Sequence, residues 1–244
     1  MISLPLLRRH RSAALPLTTD QTQAAWQCVS LLLGYPDDEL HGRLPAIRSV
    51  AEQLPEAVGA PILRLVGALE EEDPERLRVV YVETFDYTRR CAPYLTYFAH
   101  GDTRKRGLAL VQIKQAYRRA GVELADGELP DHLSVVLEFG ATASLEGGMR
   151  LLLDHRAGVE VLRMALQDKG SRWADALVAL SATLPPLDGD EKEAVARLIA
   201  AGPPEEEVGL DPYSIDPTLD AHLNPRPSAD ADLDELLSRQ GNRS

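Results

Sequence analysis

Three features of the 244-residue sequence predict an all-α fold. Apolar residues recur at helical spacing almost throughout, helix start and stop signals punctuate them, and no stretch sustains strand alternation between hairpin turns. With 44% hydrophobic residues, the chain carries enough apolar surface for a sizeable core. The expected architecture is a single-domain helical bundle of about eight to ten helices over residues 20–203. A flexible basic leader (1–19) is expected before it and a mostly disordered, acidic, proline-rich tail (204–244) after it.

The leader carries Arg8, Arg9 and Arg11, but its apolar run at 13–17 is short and contains Pro16, so it does not read as a secretory signal. Asp20 is expected to cap a helix running through Trp26, Val29 and Leu33, which Gly34 and Pro36 end. Helical stretches at 37–53 and 56–70 contain Pro45 and Pro61, which predicts short or kinked pieces. Asp73-Pro74 is a stronger start, with Asp as N-cap and Pro at the first helical position. Leu77, Val80, Tyr81 and Phe85 then follow at helical spacing.

Next comes an aromatic connector. Five of the chain's twelve aromatic residues lie between 85 and 98: Phe85, Tyr87, Tyr94, Tyr97 and Phe98. Asp102 is expected to cap the helix that follows, with Leu108, Val111 and Tyr117 on its buried face and Gly121 as its stop. Pro130 is read as opening another helix with an apolar stripe of Leu133, Val136, Leu137 and Gly140. Two or three further helices are expected at 148–168, 171–184 and 190–201, the middle one capped by Ser171 and anchored by Trp173 and Leu177. Beyond residue 204, Pro212, Pro217, Pro225 and Pro227 prevent a long helix, and only Leu233, Leu236 and Leu237 suggest a short amphipathic one.

Charge narrows the function classes. The chain holds 38 acidic and 26 basic side chains, net −12, but residues 188–244 alone carry 14 acids and five bases, net −9. Residues 89–119 run the other way, with eight bases against the single acid Asp102. Overall acidity argues against a nucleic-acid-coating protein, and Arg104, Lys105 and Arg106 are consecutive, so on a helix they point apart rather than form one stripe. The acidic tail is expected to fold on contact with a partner or to fold back on this basic segment. No apolar run is long enough to span a bilayer. Cys28 and Cys91 lack metal-ligand spacing and read as free thiols in a reducing cytoplasm.

Two readings of the chemistry remain. Asp131 and His132 at a helix start, with Glu83 and Asp86 ending an earlier helix, would form a carboxylate-imidazole site if brought together. Against an enzyme, there is no nucleophile elbow, no phosphate-binding glycine loop and no paired metal-binding histidines, and no cofactor is expected. The favoured reading is a peptide-binding groove, in which aromatic side chains beside arginines supply contact area at low entropy cost. For Tyr81, Phe85 and Phe98 the core is the better assignment, whereas for Tyr87, Tyr94 and Tyr97 core and surface are evenly balanced.

At these residues a resemblance emerges. YVETFDYTRRCAPYLTYFAHGDTRKRG (81–107) and ELPDHLSVVLEF (128–139) resemble the NarJ family, the molybdenum-cofactor assembly chaperones of respiratory nitrate reductase, also called its delta subunit. HGDTRKR (100–106) is specific to that family, and Pro130-Asp131-His132 is shared with the wider TorD and DmsD group of redox-enzyme maturation chaperones. The resemblance implies a cytoplasmic, non-catalytic, all-helical protein. Its implied partner is the N-terminal region of the apo catalytic (alpha) subunit, held competent for molybdenum cofactor insertion before membrane docking, with contact to the cofactor delivery machinery. It maps client binding onto residues 81–87, including Tyr81, Glu83, Phe85 and Tyr87, and onto Asp131, His132 and Leu133. Tyr94, Tyr97 and Arg104 join them from the groove argument. Asp131 and Glu83 are then expected to pair with client Lys or Arg, and His132 to titrate near neutral pH.

Overall fold

A computed structural model describes residues 17–101, 103–125 and 127–202. Eleven α-helices and one 3-10 turn (Arg89–Cys91) occupy the described residues: α1 (Thr19–Leu33), α2 (Leu40–Ala51), α3 (Glu56–Glu70), α4 (Pro74–Phe85), α5 (Tyr97–His100), α6 (Arg104–Arg119), α7 (Leu133–Thr142), α8 (Leu145–Asp154), α9 (Arg156–Asp168), α10 (Ala174–Thr183) and α11 (Gly189–Ala201). No strand occurs among them, so the all-α class holds, with slightly more helices than expected. The tail, and the leader up to residue 16, lie outside the described residues.

Several local expectations change for physical reasons. Thr18, not Asp20, caps α1: its hydroxyl accepts the Gln21 N–H, and the Gln21 side chain answers the Thr18 N–H in a capping box. Pro45 and Pro61 sit inside unbroken helices, because Leu44, Ile47, Ile62 and Leu65 around them bury fully and outweigh one missing hydrogen bond each. Asp73 caps α4 as expected, accepting from the N–H groups of Glu75 and Arg76 at 3.0 Å. The stretch at 148–168 is two helices, with His155 serving as the end of one and the start of the next. Helix α10 starts at Ala174 without the expected Ser171 side-chain cap.

The core is organised around α1. It packs on α7 and α10, and α10 in turn on α3. Trp26 is fully buried and donates its indole N–H to Thr183 at 2.8 Å, while Trp173 donates to the Leu32 carbonyl at 3.1 Å. Helices α7 and α8 approach each other over Gly140 and Gly148: a Cβ on Gly140 would lie 2.4 Å from the Trp26 ring. Between α9 and α10 a buried ion pair, Arg156 to Glu160 at 2.8 Å, is completed by Ser181, whose hydroxyl donates to Glu160 at 2.6 Å.

Helix α6 differs from the rest. Only Ile113 and Tyr117 of its sixteen residues are buried, and they join Phe139 in a small cluster separate from the main core. Leu108 and Val111, expected inside, are 70% and 52% exposed. At 100° per residue they lie on the side opposite Ile113, and Arg106 shares the inner face instead. Asp102, the expected cap, is outside the described residues, and the N-cap position is Thr103.

Candidate functional site

The connector and the start of α7 are built together. The Leu133 N–H donates to the Pro93 carbonyl at 2.8 Å and the Leu95 N–H to the Asp131 carbonyl at 2.9 Å, a bridge that pairs Tyr94 with His132. Because Pro130 and Asp131 form a turn, closed by the His132 N–H on the Leu129 carbonyl at 3.1 Å, and His132 is held extended by this pairing, α7 begins at Leu133 rather than at Pro130, and His132 becomes its N-cap.

The bridge seals Asp131. Its side chain is 0% exposed, and Oδ2 accepts from both the N–H (3.3 Å) and the hydroxyl of Thr96. The Arg106 guanidinium approaches Oδ2 at 3.5 Å, donates from Nε to Thr96 Oγ1 at 3.3 Å, and lies 5.1 Å over the Tyr94 ring. Oδ1 is buried with no hydrogen-bond partner among the described residues. Tyr117 closes the lower side, donating its hydroxyl to the Pro130 carbonyl at 2.6 Å.

His132 accepts the Ser134 N–H on Nδ1 at 3.3 Å, with the Ser134 hydroxyl 2.6 Å away, and packs edge-on to Tyr94 at 5.3 Å. Burial pushes its pKa down to about 4 against the opposing pull of Asp131, so it is neutral at physiological pH and the expected near-neutral titration does not occur. Asp131 spends its bonds on Thr96 and Arg106 rather than on His132, and no hydrogen bond joins either residue to Glu83 or Asp86 among the described residues. The carboxylate-imidazole arrangement is therefore not assembled.

The predicted binding residues thus divide. Tyr81, Phe85, Tyr97, Asp131 and Leu133 are buried, with the Tyr81 hydroxyl donating to the Leu33 carbonyl at 2.9 Å. Glu83, Tyr87 and Arg104 are exposed, Tyr87 by 80%, and Tyr94 and His132 are half-buried.

Beside Tyr87 lies a feature that local sequence reading missed. Thr88, Arg90, Phe98, Met164, Ala165 and Ile199 line a groove of about 300 Å³ between the connector, α9 and α11. Its helical side is legible in retrospect as Val161, Met164, Ala165 and Asp168, one turn apart. Lys169 donates to the Thr88 hydroxyl at 3.2 Å, tying the end of α9 to the rim. Cys91, a buried free thiol raised above its ordinary pKa by burial, forms part of the wall. Among the described residues, no cluster of histidine, cysteine or carboxylate side chains is arranged to hold a metal ion, and no helix is long and apolar enough to cross a membrane.

The described residues thus form an all-helical scaffold with a buried polar cluster around Asp131 and an open, largely apolar groove. The chain belongs to the nitrate reductase delta subunit family, whose description matches residues 51–179. It is 37% identical over 172 residues to a "Nitrate reductase-like protein NarX" of Mycobacterium tuberculosis (strain ATCC 25618 / H37Rv), covering 69% of this chain and 25% of that protein. The chain thus spans about a quarter of that relative's length. It is 32% identical over 168 residues to a "Probable nitrate reductase molybdenum cofactor assembly chaperone NarJ" of Bacillus subtilis (strain 168), covering 68% of this chain and 91% of that protein. To the "Nitrate reductase molybdenum cofactor assembly chaperone NarJ" of Escherichia coli (strain K12) it is 31% identical over 173 residues, 67% of this chain and 71% of that protein.

Proposed function

We propose that this protein is a non-catalytic assembly chaperone of the cytoplasm, which holds the apo catalytic subunit of a nitrate reductase competent for molybdenum cofactor insertion. Family membership and the names of its relatives support the class of role. The open groove beside Tyr87 carries the mode of action. An amphipathic segment from the N-terminal region of the catalytic subunit lays its apolar side chains over Phe98, Met164, Ala165 and Ile199. Tyr87 covers it from the rim, and the exposed carboxylates of Glu83 and Asp86 face its cations. The groove, rather than the buried Asp131, is the surface first met. Contact with the cofactor delivery machinery then takes place on the assembled chaperone and client.

Calorimetric titration of a peptide carrying the N-terminal segment of the cognate catalytic subunit tests this. Met164→Glu places a charge in the groove and Tyr87→Ala removes the rim contact, and each is expected to weaken binding about tenfold with helicity unchanged. Wild-type affinity in both variants would sink the groove reading.

A further inference from the structure

Helix α6 turns toward solvent a face that the groove does not use. Its sixteen residues hold six cations and no acid, and of these cations only Arg106 faces inward, toward Asp131. Arg104, Leu108, Val111, Gln115, Arg118 and Arg119 are exposed and fall within an arc of about 100°, on the side opposite Ile113 and Tyr117. Lys105 and Lys114 are exposed on the flanks of that arc. Leu108 and Val111 stand one turn apart in its middle, with arginines toward both ends of the helix. No ion pair among the described residues engages Arg104, Lys105, Lys114, Arg118 or Arg119, and Glu123 shares a recess with Lys114 and Arg118 without forming one. In a chain of net charge −12 the face is a local reversal of sign.

We propose that the outward face of α6 is a docking surface for an anionic phospholipid membrane. The inference stands apart from the groove reading and adds a place where the protein works. Charge complementarity carries it. Lys and Arg side chains held near a layer of anionic headgroups are attracted to it, and aliphatic side chains set among them enter the boundary between headgroups and acyl chains. Shape selects a membrane over an acidic peptide. Peptides seat in grooves between elements, whereas this arc is the convex side of one helix, about 24 Å long, that meets a plane along its whole length. Acids on the other faces of the chain do not prevent the approach, because at physiological salt their repulsion fades over about 8 Å. Two aliphatic side chains are too few for permanent insertion, so the attachment is reversible and sensitive to salt.

Co-sedimentation of the full chain with vesicles tests this, using phosphatidylcholine alone and an equal mixture of phosphatidylcholine and phosphatidylglycerol. The mixed vesicles are expected to bind about tenfold more tightly, and high salt to abolish the difference. Arg118→Glu combined with Arg119→Glu should weaken that binding about tenfold, and Leu108→Ser combined with Val111→Ser a few-fold, both with helicity unchanged because the four side chains face solvent. Equal binding to both kinds of vesicle, or none to either, overturns the proposal, as does a charge-reversed variant that binds like the wild type. Polyglutamate bound more tightly than the mixed vesicles overturns it too, and assigns the face to an acidic polypeptide. Should the charge-reversed variant fail to fold, hydrogen exchange on the wild-type chain decides. Slower exchange of α6 amides on adding the mixed vesicles supports the contact, and unchanged exchange there overturns it.

Discussion

The cluster around Trp26 and the cluster around Ile113 are built from the same kinds of side chain, yet they hold their helices very differently. In the first, α1, α7 and α8 meet so closely that Gly140 and Gly148 are the only residues that fit against the indole ring. In the second, α6 sets only Ile113 and Tyr117 against Phe139 and adds the polar contacts of Arg106, with aliphatic residues left facing water. Close interdigitation over many residues favours a single cooperative unit, whereas a helix with little buried apolar surface opens locally at lower cost. The two clusters thus bury very different amounts of apolar surface within one fold.

The largest effect is expected at the tight cluster. Trp26→Ala removes a fully buried indole and its bond to Thr183, and should lower the unfolding free energy by about 4 kcal/mol in urea. A loss under 1 kcal/mol would show that the α1, α7 and α8 contact is not the fold's anchor.

The titration of His132, the N-cap of α7, comes next. Its folded pKa of about 4 lies below the unfolded value of 6.5. The unfolded chain therefore binds the extra proton between those values, and stability is complete above about pH 6.5 and falls as the pH drops toward 4, by on the order of 3 kcal/mol for a shift of that size. His155, also lowered by burial, adds in the same direction. Urea midpoints should fall on going from pH 7 to pH 5, and His132→Asn should flatten that fall while leaving the share of His155. A pH-independent midpoint in the wild type would contradict the neutral imidazole.

Ile113→Ala sharpens the contrast itself. The substitution should destabilise the Ile113 cluster by about 2 kcal/mol, read as faster hydrogen exchange confined to α6 while the main core keeps its protection. Equal acceleration across α1 and α7 would mean that the two clusters unfold as one. Smallest of all, Leu108→Ser and Val111→Ser should change thermal stability by no more than about 0.5 kcal/mol, because both side chains already face solvent.

Local signals in the sequence anticipate most of the helices. The Asp73-Pro74 start, the Gly34 stop and the burial of Trp26, Trp173 and Leu177 all appear as read, because capping chemistry and apolar spacing act within a turn or two. The break at His155, between α8 and α9, carries no glycine or proline to mark it. The candidate site was less legible. Aromatic density drew attention to residues 85–98, and Tyr81 and Phe85, for which the core was the better assignment, face Trp173 at 5.5 and 5.4 Å within it.

By itself, the sequence determined the all-helical class, most helix positions and the family, since each depends on residues near one another in the chain or on a contiguous motif. Tertiary structure alone decided that Leu108 points outward and Arg106 inward, that the backbone of Pro93 and Leu95 clasps Asp131 and Leu133, and that Met164 and Ile199 meet Phe98 across a groove. These outcomes turn on which face of a helix meets a partner distant in sequence. Helical periodicity marks a face but does not choose its neighbour, and burial energy makes that choice only when the elements pack.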